Sequence, residues 1–195
     1  GFLYWMPLPS LLAAPFAALF PGSFLALQIP FAILSALIPP VAYTLAWGST
    51  GSKRLAWAAG LLALFSGFFF PYWTLPETFA PFALLGSMAL WLSGRPHVRG
   101  RTTGSNTVHW ALVGALVGLA HLTRADGVLL LPIVAVASLM SSQTRSISDD
   151  DGPPGASNTR GSWGKSLRSS VLHLSTVVVG YLLVMGPWLI RNLAV

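Results

Sequence analysis

Residues 118–132 read GLAHLTRADGVLLLP. Apolar sequence runs to Leu122 and resumes at Val128. Between them stand Arg124 and Asp126, two of only 16 charged residues in the chain. What a cation does there depends on the solvent around it, and composition indicates that solvent. The chain is 54% hydrophobic and 8% charged, against about 25% charged in soluble domains. No charge precedes Lys53. A chain so poor in charge would precipitate as a water-soluble globule. It therefore reads as all-α, a polytopic membrane helix bundle. The net charge of +6 then reads as an orientation signal, and no nucleic-acid partner is expected. The chain has no cysteine, which excludes disulfides and thiolate metal sites.

The charges fall in clusters, and the gaps between them have membrane lengths. A spanning helix needs about 20 apolar residues. The uncharged gaps run over 55–76, 78–94, 102–123, 127–144 and 169–190, and the uncharged start holds one more span. Six spanning helices are expected, at 24–47, 55–75, 78–94, 104–123, 127–143 and 169–190. Residues 3–21 are broken by prolines at 7, 9, 15 and 21, which leaves pieces too short to cross. They predict a juxtamembrane helix over 1–22, lying at the surface with Tyr4 and Trp5 at headgroup level. The segment 144–168 is rich in Ser, Gly, Pro and Asp without apolar period, and predicts a mobile loop.

Six spans alternate the sides of the loops. Loops 48–54, 94–106 and 142–168 then share one side and carry nine cations; Arg124 and Arg191 make two on the other. Nine against two predicts that the first side is cytoplasmic. Tryptophans 47, 57, 91 and 110 would mark cytoplasmic ends, and Trp73 and Trp188 outer ends.

The rare polar residues then gather on the outer face: Glu77, His121, Arg124, Asp126 and Arg191, with Tyr4, Trp5, Tyr72 and Trp73 on the same side. Arg124 reads two ways. It is a helix-end cation that snorkels to headgroups, paired with Asp126, or it is an anion receptor whose planar fork grips phosphate. The second reading gains from a helix opening near Ala125, whose N–H groups favour an anion. Asp126 is then an early-turn acid of that helix. Glu77 is either a first-turn acid or a carboxylate that positions a sugar hydroxyl or a metal. Asp149, Asp150 and Asp151 sit beside Gly-Pro-Pro and read as a solvated charge run. Gly114 and Gly118 form a GxxxG pair that predicts close helix packing. His109 and His173 lie near cytoplasmic ends, interfacial or hydrogen-bonded. His121 has no partner at metal spacing, so no metal site is assigned.

Four stretches together resemble one known group. GALVGLAHLTRADGVLLLPIVAV (114–136) is similar to the segment G-x-x-x-G-L-x-x-L-T-[RK]-x-[DEG]-G of GT-C-class membrane glycosyltransferases. MGPWLIRN (185–192) resembles their P-W-x-x-R-N signature. YWMPLPSLLAAPFAALFP (4–21) resembles their juxtamembrane helix, and LPETF (75–79) a short second outer loop. The order is the family's own, and the branch resembled holds protein O-mannosyltransferases and the aminoarabinose transferase of lipid A. The resemblance implies a cell-membrane enzyme that takes a sugar from a polyprenyl-phosphate carrier on the extracytoplasmic face. The acceptor would be a glycan, a lipid or a protein. No cofactor is assigned, and a divalent metal stays open. Arg124 would hold the carrier phosphate, with Arg191 a second candidate and Glu77 an auxiliary acid. The family's general base lies in a first outer loop ahead of the juxtamembrane helix. The expectation is a fragment, inactive alone, whose missing N-terminal part carries that base. The rival readings are a transporter or permease, which would place charges near the midplane, and a structural membrane-assembly subunit.

Overall fold

The computed structural model describes residues 6–65, 72, 74–94, 103–148 and 159–194. Among them there is no β-strand; the elements are helices. In chain order these are α1 (Leu8–Leu19), α2 (Phe24–Ala36), α3 (Ile38–Thr50), α4 (Lys53–Leu64), α5 (Phe79–Gly94), α6 (Thr103–Thr123), a 3-10 turn (Ala125–Leu129), α7 (Leu130–Ser148) and α8 (Thr159–Leu193). The chain is all-α. It divides into two compact units, residues 1–88 with 119–127 and residues 89–118 with 128–195.

In the first unit, punctuation residues set the helix ends. Gly22, at φ 80°, turns the chain out of α1. Ser23 then caps α2 by accepting from the Ala26 N–H at 3.3 Å. The stretch expected as one helix over 24–47 is two helices meeting at Leu37. Pro39 and Pro40 have no N–H to donate, which interrupts the ladder. Leu37 keeps a right-handed helical backbone (φ −82°, ψ −15°), so Phe24–Thr50 still forms one 27-residue apolar stretch. Gly51, at φ 66°, ends α3. Ser52 caps α4, and the two helices close as a hairpin. At their crossing a Cβ on Gly60 would lie 3.3 Å from the Pro39 carbonyl oxygen. Tyr43 packs edge-on to Trp57 at 5.4 Å. The helix expected over 55–75 ends at Leu64, where Phe65 leaves the helical backbone (φ −104°, ψ 53°); residues 66–71 and 73 lie outside the described residues.

The second unit holds a buried cluster of Ala89, Trp110, Val113, Val117, Val134 and Val177. Trp110 is fully buried there, so it does not mark a membrane interface as its place in the sequence suggested. It stands three and four residues before Val113 and Gly114, on the helix face that packs inward. Its ring lies 5.5 Å from that of His173, and His109 Nε2 is 3.0 Å from the Leu92 carbonyl oxygen. Gly114 and Gly118 do make a close helix contact. A Cβ on Gly114 would overlap the Val177 carbonyl oxygen, and one on Gly180 would overlap that of Ala111. Helix covers both flanks of the expected loop 144–168, since α7 reaches Ser148 and α8 starts at Thr159. Asp149, Asp150 and Asp151 lie outside the described residues.

Among the described residues two stretches are long and apolar enough to cross a membrane, Phe24–Thr50 and Arg168–Leu193. The core helix of a soluble protein passes the same test but is mostly buried. Here only 17% and 22% of the apolar windows are buried. Leu25, Leu62 and Leu183 are each more than 70% exposed. Water penalises such surface, whereas hydrocarbon does not.

Candidate functional site

The first unit contains a cleft of about 460 Å³. One wall is the start of α1 with the residue two places before it: Met6, then Pro9, Ser10 and Ala13. The second is the loop Pro76, Glu77 and Thr78. The third is the turn Thr123, Arg124, Ala125 and Asp126. Three segments far apart in sequence thus converge on one polar mouth.

Local rules place each of them. In LPE, Pro76 fixes its own φ, and the Glu77 N–H donates to the Leu75 carbonyl at 2.7 Å. This is a three-residue turn centred on a proline. Glu77 therefore precedes α5, whose first turn holds no acid. Glu77 borders the cleft. Thr78 opens α5 by accepting from the Phe82 N–H at 3.1 Å.

At the third wall α6 ends at Thr123, and the Arg124 N–H still donates to Ala120 at 3.1 Å. The chain then tightens, and the Gly127 N–H donates to Arg124 at 2.9 Å. Gly127 lies so near the end of α6 that a Cβ would come within 2.5 Å of the His121 backbone. Only glycine fits that approach, and it carries Arg124 and Asp126 outward. The helix expected to open at Ala125 is a five-residue 3-10 turn, and α7 begins only at Leu130. Its N-terminus therefore does not supply an anion site beside Arg124.

Arg124 Nη2 donates to Asp126 Oδ2 at 2.9 Å. The side chains are 34% and 61% exposed, and an ion pair this wet contributes only about 0–1 kcal/mol. The guanidinium carbon also sits over two rings of α5, 5.3 Å from the Phe79 centroid and 5.7 Å from that of Phe82. Tyr72 packs behind Phe79 at 6.1 Å. Among the described residues the cleft thus holds two carboxylates and one guanidinium. Asp126 is engaged by Arg124, while Glu77 forms no ion pair among the described residues. Such a set can hold an anion on the guanidinium and accept a hydroxyl hydrogen on the carboxylate.

Of the sequence-predicted site residues, the structure brings Glu77, Arg124 and Asp126 to one cleft. Tyr72 stands behind it, and His121, half-buried on α6, does not line it. Arg191 belongs to the second unit, where its guanidinium lies 5.1 Å from the Trp188 ring. Tyr4, Trp5 and Trp73 lie outside the described residues. Among the described residues no three His, Asp or Glu side chains gather as a metal site. Sequence reasoning missed the α1 wall, Thr123, and the phenyl pair Phe79 and Phe82. The pair had a readable signal, because residues three apart share a helix face.

The family model of dolichyl-phosphate-mannose-protein mannosyltransferases matches residues 6–153, which is 148 of the 195 residues. The chain belongs to this family of membrane sugar transferases. The match takes in all three walls of the cleft and ends before Arg191. No curated protein and no solved structure matches the chain.

Proposed function

We propose that the cleft receives the phosphate and sugar of a polyprenyl-phosphate-linked donor, and that the intact protein transfers this sugar to an acceptor outside the cytoplasm. One observation carries the proposal. Arg124 and Glu77, a carboxylate with no ion pair among the described residues, border one cleft inside the family-matched region.

In the transfer, the bond between the sugar and the phosphate oxygen breaks, and the phosphate leaves with the bonding electrons. Its charge rises as the bond stretches. A guanidinium already fixed at that place stabilises the transition state more than the ground state. Asp126 is not an obstacle. Its wet pair with Arg124 is weak, and the pair uses Nη2 of a fork with five N–H donors. A bidentate phosphate can share or displace it. Glu77 accepts a sugar hydroxyl and so orients the ring. The base that takes the acceptor's proton stays assigned to the family's first outer loop.

The cleft then opens outward, and loops 48–54, 94–106 and 142–168 face the cytoplasm. The charge count supports this orientation. Arg191 remains a second candidate for the donor phosphate, and the six spans are part of the same proposal.

Glu77→Gln tests the carboxylate. The amide keeps the shape and loses the charge-assisted hydrogen bond, which is worth about 1.5–3 kcal/mol. Transfer by the intact protein in proteoliposomes is expected to fall roughly tenfold or more, with binding of sugar-free polyprenyl phosphate unchanged. A Gln variant that transfers at the normal rate would remove Glu77 from the site.

A further inference from the structure

Among the described residues Arg124 is the charged group of the cleft that lies over aromatic rings, and the two rings come from a neighbouring helix. Phe79 and Phe82 stand on the first turn of α5, three residues apart, so they share a face. The guanidinium carbon lies over both, at 5.3 and 5.7 Å. We propose that Phe79 and Phe82 form an aromatic clamp that positions Arg124 for the donor phosphate. This proposal rests on the donor reading of the cleft.

Three considerations lead to it. First, Arg124 needs holding. It is the single residue between the end of α6 and the 3-10 turn, and a long arginine side chain loses much rotamer freedom when it is fixed. Second, Asp126 cannot hold it alone. That contact uses one Nη2–Oδ2 bond between exposed groups, and water competes with it. Third, the rings attract the cation's charge and do not require a particular N–H donor. The fork therefore stays available to a phosphate while its direction is fixed.

The placement also explains the spacing in LPETFAPF. Residues 75–82 carry the proline turn, the carboxylate and the clamp on one short piece of chain. A shift of the α5 start would move Glu77 and the Arg124 support together. The clamp and the carboxylate thus stay in register with each other.

Phe79 and Phe82 act through Arg124 and are positioning residues. The test is a binding cycle on the intact protein in nanodiscs, with a short-chain polyprenyl monophosphate as probe. Phe79→Leu and Phe82→Leu are each expected to weaken binding about fivefold. Phe→Tyr at either place keeps a ring and is expected to bind within about twofold. In an Arg124→Ala background the Leu substitutions are expected to change nothing further, because no cation remains to be held. Equal weakening with and without Arg124 would mean that the rings only pack, and would overturn the clamp. Unaltered binding in both Leu variants would also overturn it. If Arg124→Ala itself binds normally, or the unsubstituted protein does not bind the probe, the donor reading fails and takes the clamp with it.

Discussion

Arg124→Ala in the intact protein is expected to cut sugar transfer by roughly 10²–10³-fold, the usual effect of removing one donor from a site of developing negative charge. The magnitude follows from what the side chain leaves behind. Asp126 would lose its 2.9 Å partner, and Glu77 would remain. The cleft would then present two carboxylates to an anionic phosphate. Loss of attraction is thus joined by repulsion. Arg124→Lys is expected to keep part of the activity, about a tenth, because an ammonium restores the charge but not the planar fork. Transfer measured in proteoliposomes separates the readings. Normal turnover by the Ala variant would leave Arg124 a helix-end cation paired with Asp126, and would favour a structural or transport role for the chain.

Gly180→Val is expected to be the most damaging substitution away from the cleft. A Cβ at Gly180 would overlap the Ala111 carbonyl oxygen, and one at Gly114 would overlap that of Val177. The two contacts are reciprocal, glycine of one helix against backbone of the other. Carbonyl groups in mid-helix cannot swing aside as a flexible side chain can. The helices must separate, and the cluster around Trp110, Val113 and Val177 loses its packing. Overpacking of this kind costs about 1–3 kcal/mol or more, which corresponds to roughly 2–12 °C in the unfolding midpoint of a chain of this size. Thermal unfolding in detergent checks it. Gly118→Ala is the gentler control, since its Cβ would meet the Val184 Cβ at 3.0 Å and the Tyr181 carbonyl oxygen at 3.1 Å, tight contacts that need a shift of a few tenths of an ångström and not a separation of the helices. An undiminished midpoint for Gly180→Val would mean that α6 and α8 do not pack through these glycines.

Much of the helical architecture was legible because charge is so scarce here. Lys53, Arg54 and the prolines punctuate long apolar runs, and punctuation is what sequence shows best. Glu77, Arg124 and Asp126 were legible for the same reason: an isolated charge beside an apolar run has few ordinary explanations. Four features were not legible, each for a physical reason. The break at Leu37 depends on which N–H groups Pro39 and Pro40 remove from the ladder, and apolar length is blind to that. Trp110 carries the amphipathic ring of an interface residue, yet its helix phase beside Val113 and Gly114 puts it in the core. Extension of α8 back to Thr159 runs through Gly161 and Gly164, residues with poor helix propensity. Helix growth from an existing segment needs no new nucleus, so weak residues can be carried along. The wall at residues 6–13 was hidden because Met6, Pro9, Ser10 and Ala13 carry no charge to single them out. Their role comes from meeting Glu77 and Arg124, which is a tertiary fact.

The donor's place is tested most directly by photo-crosslinking. A polyprenyl phosphate with a diazirine beside the phosphate would be bound to the intact protein in nanodiscs, irradiated and mapped by mass spectrometry. Labelling is expected on the three walls, at residues 6–13, 76–78 and 123–126, and should be suppressed by excess unlabelled polyprenyl phosphate and by Arg124→Ala. Saturable labelling that spares all three walls and falls on other helices would contradict a donor phosphate held by Arg124.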